Sequence, residues 1–252
     1  TYGGIVFSLL TGFYLIPTVG LTITYFIALV LITFVLFVFA FKNQFKWLKY
    51  FEVFVLGFVV LSFAMYKPIP SSEKLNVLEY KEGLNGQLMV ADYSNNGTKE
   101  RVLFINRMGQ TWVNQSNKNS AWSYPTLITA LGSIYKPYSD VLVLGLGGGI
   151  VAKNMHQYTK HRIDAVEFDQ RIIDIAYKYF ELPKSGIRVY NEDARLFLNT
   201  CDKQYDVIVF DAFKGEVVPS HVLSAEAFQK AKNCLKENGI MILNFNGFLT
   251  GE

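Results

Sequence analysis

The sequence predicts an α/β protein in which a doubly wound, Rossmann-like parallel sheet follows a small antiparallel β region and a set of N-terminal transmembrane helices. Three observations lead there. Residues 1–66 hold only three lysines (Lys42, Lys46, Lys49) and one acid (Glu52). Residues 67–120 carry short apolar runs around an Asn-Gly turn signal. From residue 121 onward, five apolar runs alternate with five helical patterns, as a sheet covered on both faces requires.

Leu21 to Phe41 is an uncharged stretch long enough to cross a bilayer as a helix. Trp47 to Tyr66 suits a second span, with aromatic residues at both ends as interfacial anchors. Upstream, Gly4, Ser8 and Gly12 form a small-residue ladder that lets another helix approach closely, in a third span closed by a turn at Pro17–Gly20. Lys42, Lys46 and Lys49 on one side balance Lys67, Lys74 and Lys81 on the other, so charge counting does not orient the spans. The chain starts at Thr1 inside an apolar run and reads as the end of a larger membrane region.

Residues 67–252 carry the remaining 21 basic and 20 acidic side chains. Such near-neutrality predicts no nucleic-acid footprint. Cys201 and Cys234 have no metal or redox spacing and read as small hydrophobes. His156, His161 and His221 form no ligand cluster, and no metal is expected.

"GQLMVADYS", "ERVLFINR" and "QTWVN" read as the strands of the small β region. In the domain beyond, strands are expected at 141–144, 162–168, 187–190, 205–210 and 239–245. Helices are expected near 123–135, from about 151, and at 170–180, 194–200 and 224–235. A doubly wound sheet binds ligands beyond the carboxyl ends of its strands, where strand order reverses. The turn Gly145-Leu146-Gly147-Gly148-Gly149 follows the first strand of this sheet. It reads either as a tight strand-to-helix connection or as a ligand cradle whose following helix aims its N-terminal amides at the ligand. Glu167 ends the next strand, where an acid can accept both ribose hydroxyls of an adenosine. Asp193 can meet an adenine edge or cap a helix. Asp211 ends the fourth strand and can be a base, a cation anchor or a loop-ordering residue, whereas His221 reads as a capping or solvent-facing residue.

With "NRMGQTWV", "SYP", the glycine turn, "VEFD", "EDARLFL", "YDVIVFDAF" and "LKENGIMILNF" in this order, the chain from about Gly86 resembles the spermidine synthase family of polyamine aminopropyltransferases. The apolar stretch from Leu9 to Leu31 resembles the last membrane helices of the bacterial branch in which that domain is fused to a membrane segment. The resemblance implies a methyltransferase-like sheet and a cradle for decarboxylated S-adenosylmethionine (or S-adenosylmethionine) at Gly145, Gly147, Gly148 and Gly149. It further implies that Gln110 and Glu167 hold the nucleoside and that Asp193, with Ala194, meets the adenine. Asp211 would deprotonate an attacking amine that Tyr124 positions. A small-molecule amine, the lipid bilayer and a second copy of the chain would be the partners, and the soluble domain would lie on the cytoplasmic side of a bacterial inner membrane. Two positions depart from the family pattern: Gly148 and Lys214 stand where acids are usual. A methyltransferase, or a catalytically silent domain sensing nucleoside or polyamine, are the alternative readings. The expected division is residues 1–66 for the membrane helices, 67–120 for the β region and 121–252 for the nucleoside-binding domain. The last of these stops short of the family's final helix and strand hairpin and so leaves a sheet edge exposed.

Overall fold

Strands β5 (Asp140–Leu144), β6 (Arg162–Glu167) and β8 (Tyr205–Phe210) carry apolar stretches at Val141–Leu144, Ala165–Val166 and Val207–Phe210 because both of their faces are covered there. Val141, Val143, Ile163, Ala165, Val207 and Val209 pack to one side with Ile128, Val151, Met155 and Ile173. Leu142, Leu144, Val166, Ile208 and Phe210 pack to the other with Leu198, Val222 and Ala231. This alternation follows from the two-residue period of a strand. In the computed structural model, the described residues are 2–42, 46–66, 72, 74–95, 97–212 and 220–245. They divide into two units, Thr1–Ser72 with Lys81–Gln87, and Glu73–Tyr80 with Leu88–Glu252.

In the first unit, α1 (Tyr2–Leu10) runs through a π-helical turn (Thr11–Leu15) into α2 (Ile16–Lys42), and α3 (Lys46–Met65) follows. The turn expected over Pro17–Gly20 is a break at Gly20 alone, with φ 84° and ψ 167°, a conformation open to glycine. The wide π turn ahead of Pro17 makes room for a ring that lacks an N–H. Beyond the break, the Thr22 N–H donates to Glu82 Oε2 at 2.9 Å and the Thr22 hydroxyl to Glu82 Oε1 at 2.8 Å. The carboxylate thereby caps a helix start from outside the helix. Phe26 meets Phe63 edge to face at 5.0 Å, which packs α3 on α2. Among the described residues, the run Tyr2–Phe39 is long and apolar enough to cross a bilayer, and Val53–Met65 is a shorter apolar helix.

The second unit opens on a four-stranded sheet of order β1 (Leu75–Lys81), β2 (Leu88–Asn95), β3 (Thr98–Ile105) and β4 (Met108–Asn114). Strand β1 is an addition to the expected set, because "LNVLEYK" interleaves Glu and Lys with its apolar positions. Asn95 pairs with Thr98, so the β2–β3 hairpin turns at the Asn-Gly signal; Gly97 has φ 83°. Leu88, Val90, Leu103, Ile105 and Val113 pack against Ile150, Ile172, Ile175 and Phe180 of the larger domain.

That domain runs α4 (Tyr124–Gly132), β5, α5 (Ile150–Thr159), β6, α6 (Gln170–Tyr179), β7 (Ile187–Asn191), α7 (Ala194–Thr200), β8, α8 (Ala225–Asn233) and β9 (Leu235–Leu243). All strand pairs are parallel and the order is β7-β6-β5-β8-β9. The order reverses between β5 and β8, which creates a crevice at their carboxyl ends. Strand β9 starts four residues earlier than expected. Tyr205 pairs with Leu235 and Val207 with Ile240, and the residues between bulge outward.

At the amino ends of the strands the charges cancel. Asp140 receives Arg162 Nε at 2.9 Å, Lys203 Nζ at 3.1 Å and Lys236 Nζ at 3.3 Å. Asp164 receives Lys203 at 2.9 Å and the Tyr205 hydroxyl at 2.9 Å. The Arg162 hydrogen bond, aided by Lys203 and Lys236, holds the Asp140 carboxyl well below the usual range. This stabilisation is complete above the ordinary carboxylate range and is lost as pH falls below it. Asp140→Asn leaves Arg162 without its carboxylate and takes one of two from Lys203 and Lys236, so it is expected to lower stability at neutral pH by about 2 kcal/mol. It should also flatten the loss of thermal stability from about pH 5 to 2; unfolding curves across that range check this.

Candidate functional site

The glycine turn lies at the reversal point, and its first residue explains its composition. A Cβ on Gly145, whose φ is 96°, would lie 2.3 Å from the backbone carbonyl oxygen of Asp211, so the ends of β5 and β8 meet closer than any side chain permits.

Four of the five amides of the turn have hydrogen-bond partners within the protein. Gly145 donates to the Val166 carbonyl at 2.9 Å and Gly149 to the Leu146 carbonyl at 2.8 Å. Leu146 donates to Glu167 Oε2 at 3.1 Å. Gly148 donates to Thr111 Oγ1 at 2.8 Å. Internal acceptors take these amides, so the donors expected for a ligand are those of the following helix, at its own N-terminus from Ile150. The turn supplies shape and closeness instead.

Glu167 closes β6 and accepts from Leu146 and, at 2.9 Å, from the Asp169 N–H. Burial raises its pKa, while the hydrogen bonds from Asp169 and Leu146 oppose the rise. Each carboxylate oxygen has a second lone pair, so acceptor capacity remains. Asp193 is the N-cap of α7, with Oδ1 accepting from the Arg195 and Leu196 N–H groups at 2.8 and 3.1 Å. Its Oδ2 lies 3.2 Å from Nε2 of the exposed His221. The side chain of Ala194 is in the core, which leaves only its backbone for a ligand.

Asp211 follows β8. Burial pushes its carboxyl up to about 7, against a hydrogen bond from Asn244 Nδ2 at 2.8 Å that favours the charged form. Burial and, second, the charge of Asp211 raise the Tyr124 phenol. The Tyr124 ring packs on Trp122, with centroids 6.0 Å apart, and Trp122 on Trp112 at 6.4 Å. Gln110 is a bulge residue: Thr111 pairs with Leu103 and Gly109 with Phe104, so Gln110 is the extra residue between them. A bulge re-aims a side chain relative to its neighbours. Lys214 lies outside the described residues.

The turn, Glu167, Asp211 and Tyr124 are thus brought to one end of the sheet, and Asp193 caps the helix after the neighbouring strand. Sequence reasoning missed Thr111 and Asn244. Asn244 had a signal, since a polar residue ends the last apolar run just as Asp211 ends its own. Among the described residues neither Glu167 nor Asp211 forms an ion pair, and no group of three His, Cys, Asp or Glu converges to hold a metal.

The profile of the spermine/spermidine synthase domain matches residues 122–249, just over half of the chain. The chain belongs to the spermine/spermidine synthase family. It is 32% identical over 123 residues to a polyamine aminopropyltransferase of Vibrio vulnificus, an alignment covering 46% of this chain and 41% of that protein. The chain therefore spans about two fifths of that relative's length. A spermidine synthase from Thermotoga maritima shares the fold with a TM-score of 0.55 at 16% identity, over 66% of this chain and 56% of its own. A spermidine synthase in complex with the transition-state analogue AdoDATO does so with a TM-score of 0.56 at 16% identity, over 66% and 57%. The glycine turn and the strand-end acids lie at the carboxyl ends of the strands of this methyltransferase-like sheet.

Because the folded chain binds the Asp211 proton more tightly than an unfolded one does, stability falls as pH rises from the ordinary carboxylate range through about 7. Asp211→Asn removes that cost. The variant is expected to be more stable than the parent at about pH 8 by on the order of 2 kcal/mol, with a smaller gain near pH 5. Thermal unfolding at both values checks it, and an equal or reversed difference contradicts it.

Proposed function

We propose that the chain is a membrane-anchored, spermidine synthase-like aminopropyltransferase. It transfers an aminopropyl group from decarboxylated S-adenosylmethionine to a small-molecule amine, with Asp211 as the base. Family membership supports the reaction class, and one observation carries the assignment of the base. Asp211 is a carboxyl without a cationic partner among the described residues, beside Tyr124 at the strand-order reversal, with its pKa raised to about 7. A base so poised can take a proton near neutral pH and be regenerated.

The residues present suit a sulfonium nucleoside. Four of the five turn amides are occupied, which disfavours phosphate at the turn, while Glu167 and Asp211 bring negative charge that favours a cation. When bound, decarboxylated S-adenosylmethionine supplies a carbon whose bond to sulfur breaks as the amine attacks, the bonding pair staying on sulfur to leave methylthioadenosine. Glu167 would accept the ribose hydroxyls through its free lone pairs, and Gln110 would contact the nucleoside from the bulge. Asp193 and the Ala194 backbone would meet the adenine. Tyr124 would orient the amine, whose proton goes to Asp211. Holding amine and carbon in line supplies much of the remaining acceleration.

For residues 1–66 the reading is a set of bilayer helices of the membrane-fused branch, followed by a β region at 67–120 and the nucleoside-binding domain from 121. Exposed apolar side chains such as Phe34, Val35 and Phe54 on α2 and α3 support it. The soluble part would lie on the cytoplasmic face, where the nucleoside donor is made.

The test is the full chain in detergent, incubated with decarboxylated or ordinary S-adenosylmethionine and putrescine, with both possible products followed. Methylthioadenosine is expected, at a rate that rises with pH and levels off above about 7. Asp211→Asn should lower the rate at least about 100-fold and remove the pH dependence. S-adenosylhomocysteine as the sole product would replace this reading with methyl transfer. Nucleoside binding without either product would replace it with sensing.

A further inference from the structure

We propose that Thr111 is a specificity-determining residue that closes the glycine turn to phosphorylated adenosine ligands. The inference rests on the adenosyl site proposed above and deepens it by naming what excludes the wrong adenosine compounds.

Helix α5 starts directly after the turn, and the amide ahead of its N-cap Gly149 belongs to Gly148. In a strand-turn-helix unit, an amide at this place is a ready donor for a phosphate oxygen. Here the Thr111 hydroxyl accepts it at 2.8 Å, in a buried hydrogen bond between residues far apart in sequence. The rest of the side chain fills the adjoining space: a Cβ on Gly148 would lie 2.5 Å from Thr111 Cγ2, and one on Gly147 would lie 3.1 Å from Thr111 Oγ1.

Two separate facts, an occupied donor and an occupied volume, thus come from one side chain. Thr111 is itself held in place, 6% exposed on β4 and paired with Leu103. Gly145, Leu146 and Gly149 spend their amides on Val166, Glu167 and Leu146, and Gly148 spends its own on a replaceable side chain from the small sheet. A Glu167 substitution would also free amides, but it would remove the proposed ribose acceptor. The chemistry selected is an adenosine bearing a neutral thioether or a sulfonium at its 5′ position, and the chemistry rejected is an adenosine bearing a 5′ phosphate chain.

The test is isothermal titration of the full chain with methylthioadenosine and with ADP, for the parent, Thr111→Ala and Thr111→Ser. The readout is the ratio of the two affinities within each protein, so a general loosening of the site cancels. The parent is expected to prefer methylthioadenosine by about 100-fold or more. Thr111→Ala, which frees the Gly148 N–H and opens space beside it, should lose at least about tenfold of that preference by gaining affinity for ADP. Thr111→Ser keeps the acceptor and should stay close to the parent. The proposal is overturned if Thr111→Ala binds methylthioadenosine with the parent's preference intact, since the acids would then do all the rejecting. A Thr111→Ser variant that behaves like Thr111→Ala would overturn the role given to the hydroxyl. If the parent binds neither compound, the adenosyl reading itself fails and takes this proposal with it. If Thr111→Ala binds neither while Thr111→Ser matches the parent, Thr111 holds the site together rather than selecting its ligand, which also overturns the proposal.

Discussion

The close approach of Gly145 to the backbone carbonyl of Asp211, which leaves no room for a Cβ, is the constraint from which the site follows. It exists because β5 and β8 are neighbours although β6 and β7 lie between them in sequence. The chain leaves these two strands in different directions, and the glycine lets their ends stay close while the crevice opens beyond them. With the turn pressed against β8, four of its five amides find partners inside the protein: Val166 and Glu167 on the β6 side, Leu146 in the turn, and Thr111 from the small sheet. Asp211, on the other side of the same contact, is partly buried and has no cationic partner among the described residues.

The two ends of the sheet illustrate how one residue type is driven in opposite directions. At the amino ends, Asp140 sits among Arg162, Lys203 and Lys236, and hydrogen bonds keep it ionised well into acid. At the carboxyl end, Asp211 has one neutral amide partner among the described residues and is pushed up to about 7 by burial. The first arrangement stabilises the fold. The second costs stability at neutral pH and provides a group able to exchange a proton there, as expected where function opposes stability.

Much of the fold was legible because its strands are buried on both faces and so appear as apolar runs bounded by polar residues. Strand β1 escaped notice because its Glu and Lys residues break that pattern. Strand β9 started early because Lys236, Glu237, Asn238 and Gly239 bulge out of the ladder, a register fact with no periodic signal. In the site, the glycine turn, Glu167 and Asp211 could be read from their places after apolar strands, whereas Gln110, Tyr124 and Ala194 needed the family resemblance. Thr111 was illegible: its partnership with Gly148 joins two distant elements, and only packing of the small sheet on the larger domain brings them together.

The central claim is that a cation binds beside a carboxyl that titrates near neutrality, and proton release on binding tests it most directly. Titration calorimetry of the full chain near pH 6.5, repeated in buffers of different ionisation enthalpy, counts the protons exchanged. Decarboxylated S-adenosylmethionine should expel a substantial fraction of one proton as its sulfonium favours ionised Asp211, while neutral methylthioadenosine should expel markedly less. Equal proton counts for the two nucleosides, with both bound, would contradict the account.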